Sequence, residues 1–188
     1  MGALWAVSFV SGSAVAADKG TITFNGTIVA GTCVVAVDSE LAFADIDMNP
    51  LIDSDHKALV SKNFPITLSG CSGVVPGSKT PQITVTSVAA EGNKFKGGAG
   101  STAVGPYFII NKYLRTDSEV LWSDSWAESD TLNSGDGMRP VTTTPPLFQN
   151  GTWYMTAAIT CGTKAECNGA DMRPGTLDTP LTLSFEWK

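Results

Sequence analysis

The sequence has few positive charges, no long apolar run after its first residues and very little histidine, and each shortage excludes a class of protein. The 188 residues include 12 Lys and Arg against 18 Asp and Glu, which gives a formal net charge of -6. The basic residues are scattered singly, whereas a nucleic-acid surface clusters them. After Val29 no stretch approaches the roughly 18 consecutive apolar residues of a membrane span. We therefore expect neither nucleic-acid binding nor a membrane-spanning segment beyond that point.

Catalytic and metal-binding motifs are also scarce. The single histidine, His56, follows Asp55, but neighbours in a strand point to opposite faces, and no G-x-S-x-G nucleophile motif accompanies them. The run DIDMNPLIDSD begins with calcium-loop spacing, yet Pro50 stands where glycine is required and His56 where the last glutamate belongs. We expect no cofactor, no metal site and no enzyme, with a hydrolase as the most remote alternative.

The N-terminal segment predicts export. The apolar stretch MGALWAVSFV is followed by small residues that end in Ala14-Val15-Ala16, the A-x-A pattern that a signal peptidase reads. No Lys or Arg precedes the apolar stretch, which departs from the usual pattern. Residues 1–16 are interpreted as a signal peptide, residues 17–29 as an N-terminal extension and residues 30–188 as the folded domain.

Four cysteines fit this interpretation, because an even count in an exported chain indicates disulfide bonds. Pairing of Cys33 with Cys71 would enclose the first third of the domain, and pairing of Cys161 with Cys167 would close the short loop TCGTKAECNG. Metal binding is the alternative, but the spacings are not C-x-x-C. We therefore predict two disulfide bonds.

Short segments of strand-like pattern, separated by turn-rich stretches, make up the rest of the chain. With 43% hydrophobic residues the chain is long enough for one domain with a real core, and 19 Gly and 10 Pro punctuate it. This pattern predicts an all-β sandwich, with residues 91–105 as a mobile, glycine-rich connection. The predicted strands are residues 21–29, 33–37, 64–69, 82–88, 107–114, 152–161 and 181–188.

The order of these motifs resembles the pilin subunits of chaperone–usher fimbriae, close to the type 1 major-subunit branch. The resemblance rests on GTITFNGTIVAGTC after the signal peptide, NFPITLSGC around the second cysteine, and the alternating C-terminal strand LTLSFEWK. It covers essentially the whole mature chain. Two features depart from it: Trp187 stands where such pilins usually carry tyrosine, and the pair Cys161 and Cys167 is not a feature of the common major subunits.

The resemblance implies an incomplete immunoglobulin-like β-sandwich, the pilin fold, which is completed by a donor strand from another subunit or a chaperone. A periplasmic chaperone would supply that strand first, and the extension of another subunit would replace it at the outer-membrane usher. The chain would then reach the cell surface as part of a fimbria that supports adhesion. The implied donor residues are Asp18, Gly20, Ile22, Phe24, Gly26 and Ile28. The implied acceptor groove and chaperone-binding strand carry Leu181, Leu183, Phe185 and Trp187.

Three alternatives stay open at this point. The extension would be an edge strand of the molecule's own sheet if no donor exchange took place. The subunit would be a minor tip or adaptor component rather than part of the shaft. The chain would be a small carbohydrate-binding module, or would bind a host glycan or protein receptor, if its aromatic cluster were exposed. The cluster consists of Trp122, Trp126, Trp153 and Tyr154, and the polar sequence around Trp122 and Trp126 allows exposure of those two.

Overall fold

Alternation of apolar and polar residues sets the main strands. In the computed structural model, which describes residues 31–188 except 39, 41–42, 76, 123 and 141–146, the segment FPITLS buries Phe64, Ile66 and Leu68 and turns the residues between them outward. The described residues form nine strands: β1 Thr32–Val37, β2 Leu59–Ser72, β3 Pro81–Thr86, β4 Ala90–Glu91, β5 Lys94–Phe95, β6 Tyr107–Arg115, β7 Gly137–Pro140, β8 Gly151–Thr160 and β9 Thr182–Trp187.

The all-β prediction is confirmed, since the described helical residues are confined to two single turns, Asn49–Leu51 and Glu128–Asp130. Six of the predicted strands overlap β1, β2, β3, β6, β8 and β9. The seventh, residues 21–29, lies outside the described residues, as does the predicted signal peptide.

The strands follow the order β1-β2-β8-β6-β7-β3-β9 in one nearly closed sheet, and the β4–β5 hairpin joins it through β6. Every neighbouring pair is antiparallel except β6 and β7. The sheet folds back on itself, because Ile66 of β2, Ile83 of β3 and Trp153 of β8 belong to one buried cluster. The two ends of the sheet approach each other where the indole N–H of Trp187 donates a hydrogen bond to the carbonyl of Gly31.

A second apolar cluster lies on the outer face of the sheet. We name residues 117–122 and 124–131 the outer strap. This segment packs Trp122 and Trp126 against Tyr107 and Ile109 of β6. The Trp126 indole N–H also donates to the buried Thr160 hydroxyl at 3.0 Å. The exposure of these two tryptophans that the carbohydrate-binding alternative requires is not observed, since only 5% and 7% of their surfaces reach solvent. The polar residues around them face outward while the indoles cover the sheet.

The glycine-rich stretch 91–105 is more ordered than the sequence indicates. Its first part forms β5 and buries Phe95 completely in the main core. Its second part is bonded to the segment before β9, where Gly98 N–H donates to Asp178 and Thr102 N–H to Thr176. The interpretation as a loose connection is therefore wrong, because these backbone bonds and one aromatic anchor hold it against the domain.

Both predicted disulfide bonds are present. Cys33–Cys71 ties β1 to the end of β2, and Cys161–Cys167 closes the loop that follows β8. The four sulfur-bearing residues differ in environment: Cys161 and Cys167 are fully enclosed, whereas Cys71 is partly exposed.

The Tyr107 side chain is buried in the outer cluster, and its hydroxyl, next to Gly162, has no hydrogen-bond partner in the described structure. Burial, together with the negative charges of Glu166 and Glu128, raises the pKa of this phenol above its ordinary value. An unsatisfied buried hydroxyl lowers the free energy of unfolding. The loss grows at a pH at which the phenol ionises in the unfolded chain but not in the folded chain.

The two disulfide bonds should differ in their effect on global stability. The residues they join are 38 and 6 positions apart. By chain entropy these loops are worth about 4 and about 2 kcal/mol. The double variant Cys33→Ala/Cys71→Ala should therefore unfold at a clearly lower urea concentration than Cys161→Ala/Cys167→Ala. Equal midpoints would contradict this ranking.

Replacement of Tyr107 by phenylalanine should alter the pH dependence of unfolding. Because the pKa of Tyr107 is raised in the folded state, this phenol causes no pH-dependent loss of stability below the unfolded pKa of about 10. The free energy of unfolding then falls as the pH rises from there toward the folded pKa. Tyr107→Phe should remove this alkaline loss and leave stability at pH 7 equal or higher. Urea titrations at pH 7 and in the alkaline range test this, with exposed Tyr113→Phe as the control. A steep alkaline loss retained by Tyr107→Phe would refute the assignment.

Candidate functional site

An apolar groove opens between the two ends of the sheet. It encloses a cavity of about 730 Å³. One side is formed by the end of β1 and by residues 43–48, here named the groove wall, and the other by residues 175–181 and the start of β9. The floor consists of side chains from β2, β6 and β8, most of which are buried in the sandwich: Phe64, Phe108, Ile110, Met155, Ala157 and Ile159.

Strand edges border this groove. β1 is hydrogen-bonded to β2, and β9 to β3, and neither has a second bonded neighbour within the described residues. The end of β1 lies beside the start of β9, because the opposite ends meet at Gly31 and Trp187. Strand edges beside an apolar groove are the features to which an additional strand binds.

The side chains of β9 are less covered than those of its partner β3. Val85 of β3 pairs with Leu183, and Ile83 pairs with Phe185. The two β3 side chains are fully buried, whereas Leu183 and Phe185 are only partly buried, although they pack against the same core. The core therefore lacks cover on the β9 side.

The structure divides the four predicted groove residues into two groups. Leu181 and Leu183 line the cavity. Phe185 and Trp187 instead pack against Phe148, with ring centroids 5.8 and 5.0 Å apart, and close the other end of the sandwich. Only the first half of the predicted strand thus lies in the open part of the groove.

The predicted donor residues cannot be placed in this site, because they fall outside the described residues. They are Asp18, Gly20, Ile22, Phe24, Gly26 and Ile28.

The groove wall was missed from the sequence. Phe43 reaches over the floor, with its ring centroid 5.5 Å from that of Phe64 and 5.3 Å from that of Phe108. Ile46 and Met48 line the same cavity. The signal lies in ELAFADIDMNP, where the apolar residues that line the groove are interleaved with the acidic residues of the calcium-like spacing.

The rim of the groove is acidic. The charged residues among its described lining are Asp38, Glu40, Asp45 and Asp178, and no lysine or arginine lines it. An apolar floor with a negative rim provides a binding surface.

The Asp55–His56 pair lies elsewhere. Both side chains are in a turn, where His56 has a φ of 49°, and their Oδ1 and Nδ1 atoms are 3.0 Å apart. The expectation that they point to opposite faces is wrong, because this segment is not a strand. The imidazole packs against Trp126 of the outer strap, with the ring planes tilted by 59°, and does not line the groove.

Neither a metal cluster nor a membrane-spanning helix is found among the described residues. No group of three or more His, Cys, Asp or Glu residues there is arranged to hold a metal ion. No helix in that part of the chain has the length and apolar character needed to cross a membrane. Comparison with known proteins found no family model and no curated protein that matches the chain.

Proposed function

We propose that the chain is a structural subunit of an adhesive fimbria, which polymerises by donor-strand exchange through the chaperone–usher pathway. The observation that carries the proposal is the apolar groove between β1 and β9, whose borders are strand edges. A ligand that satisfies such a site must supply backbone hydrogen bonds along its length and apolar side chains at alternate positions. An extended peptide does both.

In this proposal the domain is an immunoglobulin-like sandwich without its seventh strand, and the missing strand belongs between β1 and β9. The extension at residues 17–29 has the required pattern, since Ile22, Phe24 and Ile28 share one face of a strand. Each of these anchors stabilises the complex by roughly 1.5–3 kcal/mol on full burial, before the entropy of ordering the extension is subtracted. Residues 1–16 would be removed during export.

The partners that follow are a periplasmic chaperone, an outer-membrane usher and other fimbrial subunits. The chaperone would cover the groove until another subunit's extension replaces its strand. Two disulfide bonds agree with assembly in an oxidising compartment. A subunit that carries both an extension and a groove is able to donate and to accept, which is what a growing polymer requires.

A carbohydrate-binding module is the weaker alternative. Trp122, Trp126 and Trp153 are all buried, so their faces are not available to stack on a sugar. The aromatic cluster thus supports packing, and the groove remains the feature that a function must use. Binding to a host glycan or protein would fall to other surfaces of the assembled fibre.

The polymer should be visible on a gel. Donor-strand complexes are held by a whole strand of hydrogen bonds, so unboiled samples in SDS should give a ladder of multiples that collapses to one band on heating. A lectin or an enzyme of this size should migrate as a monomer in both conditions. A single band in unboiled samples of surface-extracted protein would contradict the proposal.

Donation and acceptance should be separable by mutation. Phe24→Asp would force an unpaired charge into an apolar pocket, at a cost of several kcal/mol. It should abolish donation but leave acceptance intact. Leu183→Asp should abolish acceptance, because Leu183 lines the groove. Mixing each variant with wild-type subunits and counting mixed dimers measures both directions.

Matched controls keep the charge and move it to the opposite face. Asn25→Asp in the extension and Thr182→Asp in β9, whose side chain is exposed, should polymerise like the wild type. If Phe24→Asp and Leu183→Asp each failed equally as donor and acceptor, the assignment of two separate parts would be wrong.

A further inference from the structure

The buried Cys161–Cys167 bond adjoins the groove wall. Its two residues form an apolar cluster with Leu51, Ile159 and Met172. Three side chains of the groove wall, Phe43, Ile46 and Met48, pack against this cluster from the side of the cavity. The disulfide bond and the groove thus share one layer of side chains.

Backbone hydrogen bonds connect the same two segments. Asp53 N–H donates to the carbonyl of Cys167 at 2.9 Å, and His56 N–H donates to that of Gly162 at 2.8 Å. In the opposite direction, Lys164 N–H donates to the carboxylate of Asp55 at 3.0 Å. Residues 51–56 therefore take their position from the loop that the disulfide bond closes.

The groove wall is continuous with this anchored segment. The helical turn Asn49–Leu51 follows the groove wall directly and leads into residues 51–56. Within it, Leu51 N–H donates to the carbonyl of Met48 at 2.9 Å. Leu51 is completely buried against the two cysteines. A shift of the 161–167 loop would consequently displace Leu51, and with it the end of the groove wall.

We propose that the Cys161–Cys167 bond is a positioning device for the groove, which fixes the groove wall at the separation that an incoming strand requires. The claim rests on the proposed function, since it assigns the second disulfide bond to the acceptor site. Its contribution to global stability is the smaller of the two bonds, and its main effect is local. Loss of the bond lets the 161–167 loop and residues 51–56 move together, so the wall no longer holds Phe43 over the floor.

The test uses the full chain and the double variant Cys161→Ala/Cys167→Ala. Amide hydrogen exchange at Asp53 and His56 should be at least about tenfold faster than in the wild type. A fluorescent synthetic peptide of residues 17–29 should dissociate about tenfold faster from the same variant. Unchanged exchange at these amides, or unchanged peptide dissociation despite faster exchange, would overturn the proposal.

Two further variants separate positioning from general stability. Ile109→Val loosens the outer cluster on the opposite face of the sheet and should leave both readouts unchanged. Leu51→Ala keeps the disulfide bond but removes the side chain that transmits its position, so it should reproduce both effects. If the double cysteine variant fails to fold, Leu51→Ala decides the matter by the same criteria, and wild-type values in it would refute the proposal.

The two readouts also separate this proposal from the function on which it rests. If wild-type protein failed to bind the peptide, the proposed function would fail, and with it the role of the bond at an acceptor site. If wild-type protein bound the peptide and the two variants bound it equally well, only the positioning role would be lost.

Discussion

Backbone pairing in the described sheet stops at β1 and β9, and the groove lies between these two end strands. The two strands meet at one end, where Trp187 bonds to Gly31 and Phe148 packs over Phe185 and Trp187. At the other end the cavity lies between them, above floor side chains of β2, β6 and β8. The sheet is thus held together at one end and the cavity lies at the other, which is the end that would receive a donor strand in the proposed function.

The remaining apolar surfaces of the sheet are covered by the chain itself. The outer strap places Trp122 and Trp126 over the face opposite the core. The loop closed by Cys161–Cys167 encloses Leu51 and supports the groove wall. The chain's own aromatic and aliphatic residues thus cover the sheet, and most floor residues of the groove are buried as well.

Regular strands were predictable from the sequence, and irregular packing was not. The period of two in FPITLS identifies β2 and the face it buries. The same period in LTLSFEWK identifies β9, in which every residue after Thr182 is partly buried. β4, β5 and β7 span two to four residues, which is too short for a period to appear. Phe43 lies in a segment without regular structure, so its place over the floor follows from tertiary contacts alone. The same holds for Trp126, whose burial depends on the path of the outer strap.

Photocrosslinking from inside the groove tests the account most directly. A benzoylphenylalanine in place of Leu183 would face the cavity, and subunits labelled with heavy and light nitrogen would distinguish bonds within a chain from bonds between chains. After irradiation of assembled fibres, mass spectrometry should find adducts to residues 17–29 with mixed labels. Adducts confined to one label, or adducts that avoid residues 17–29, would contradict the account.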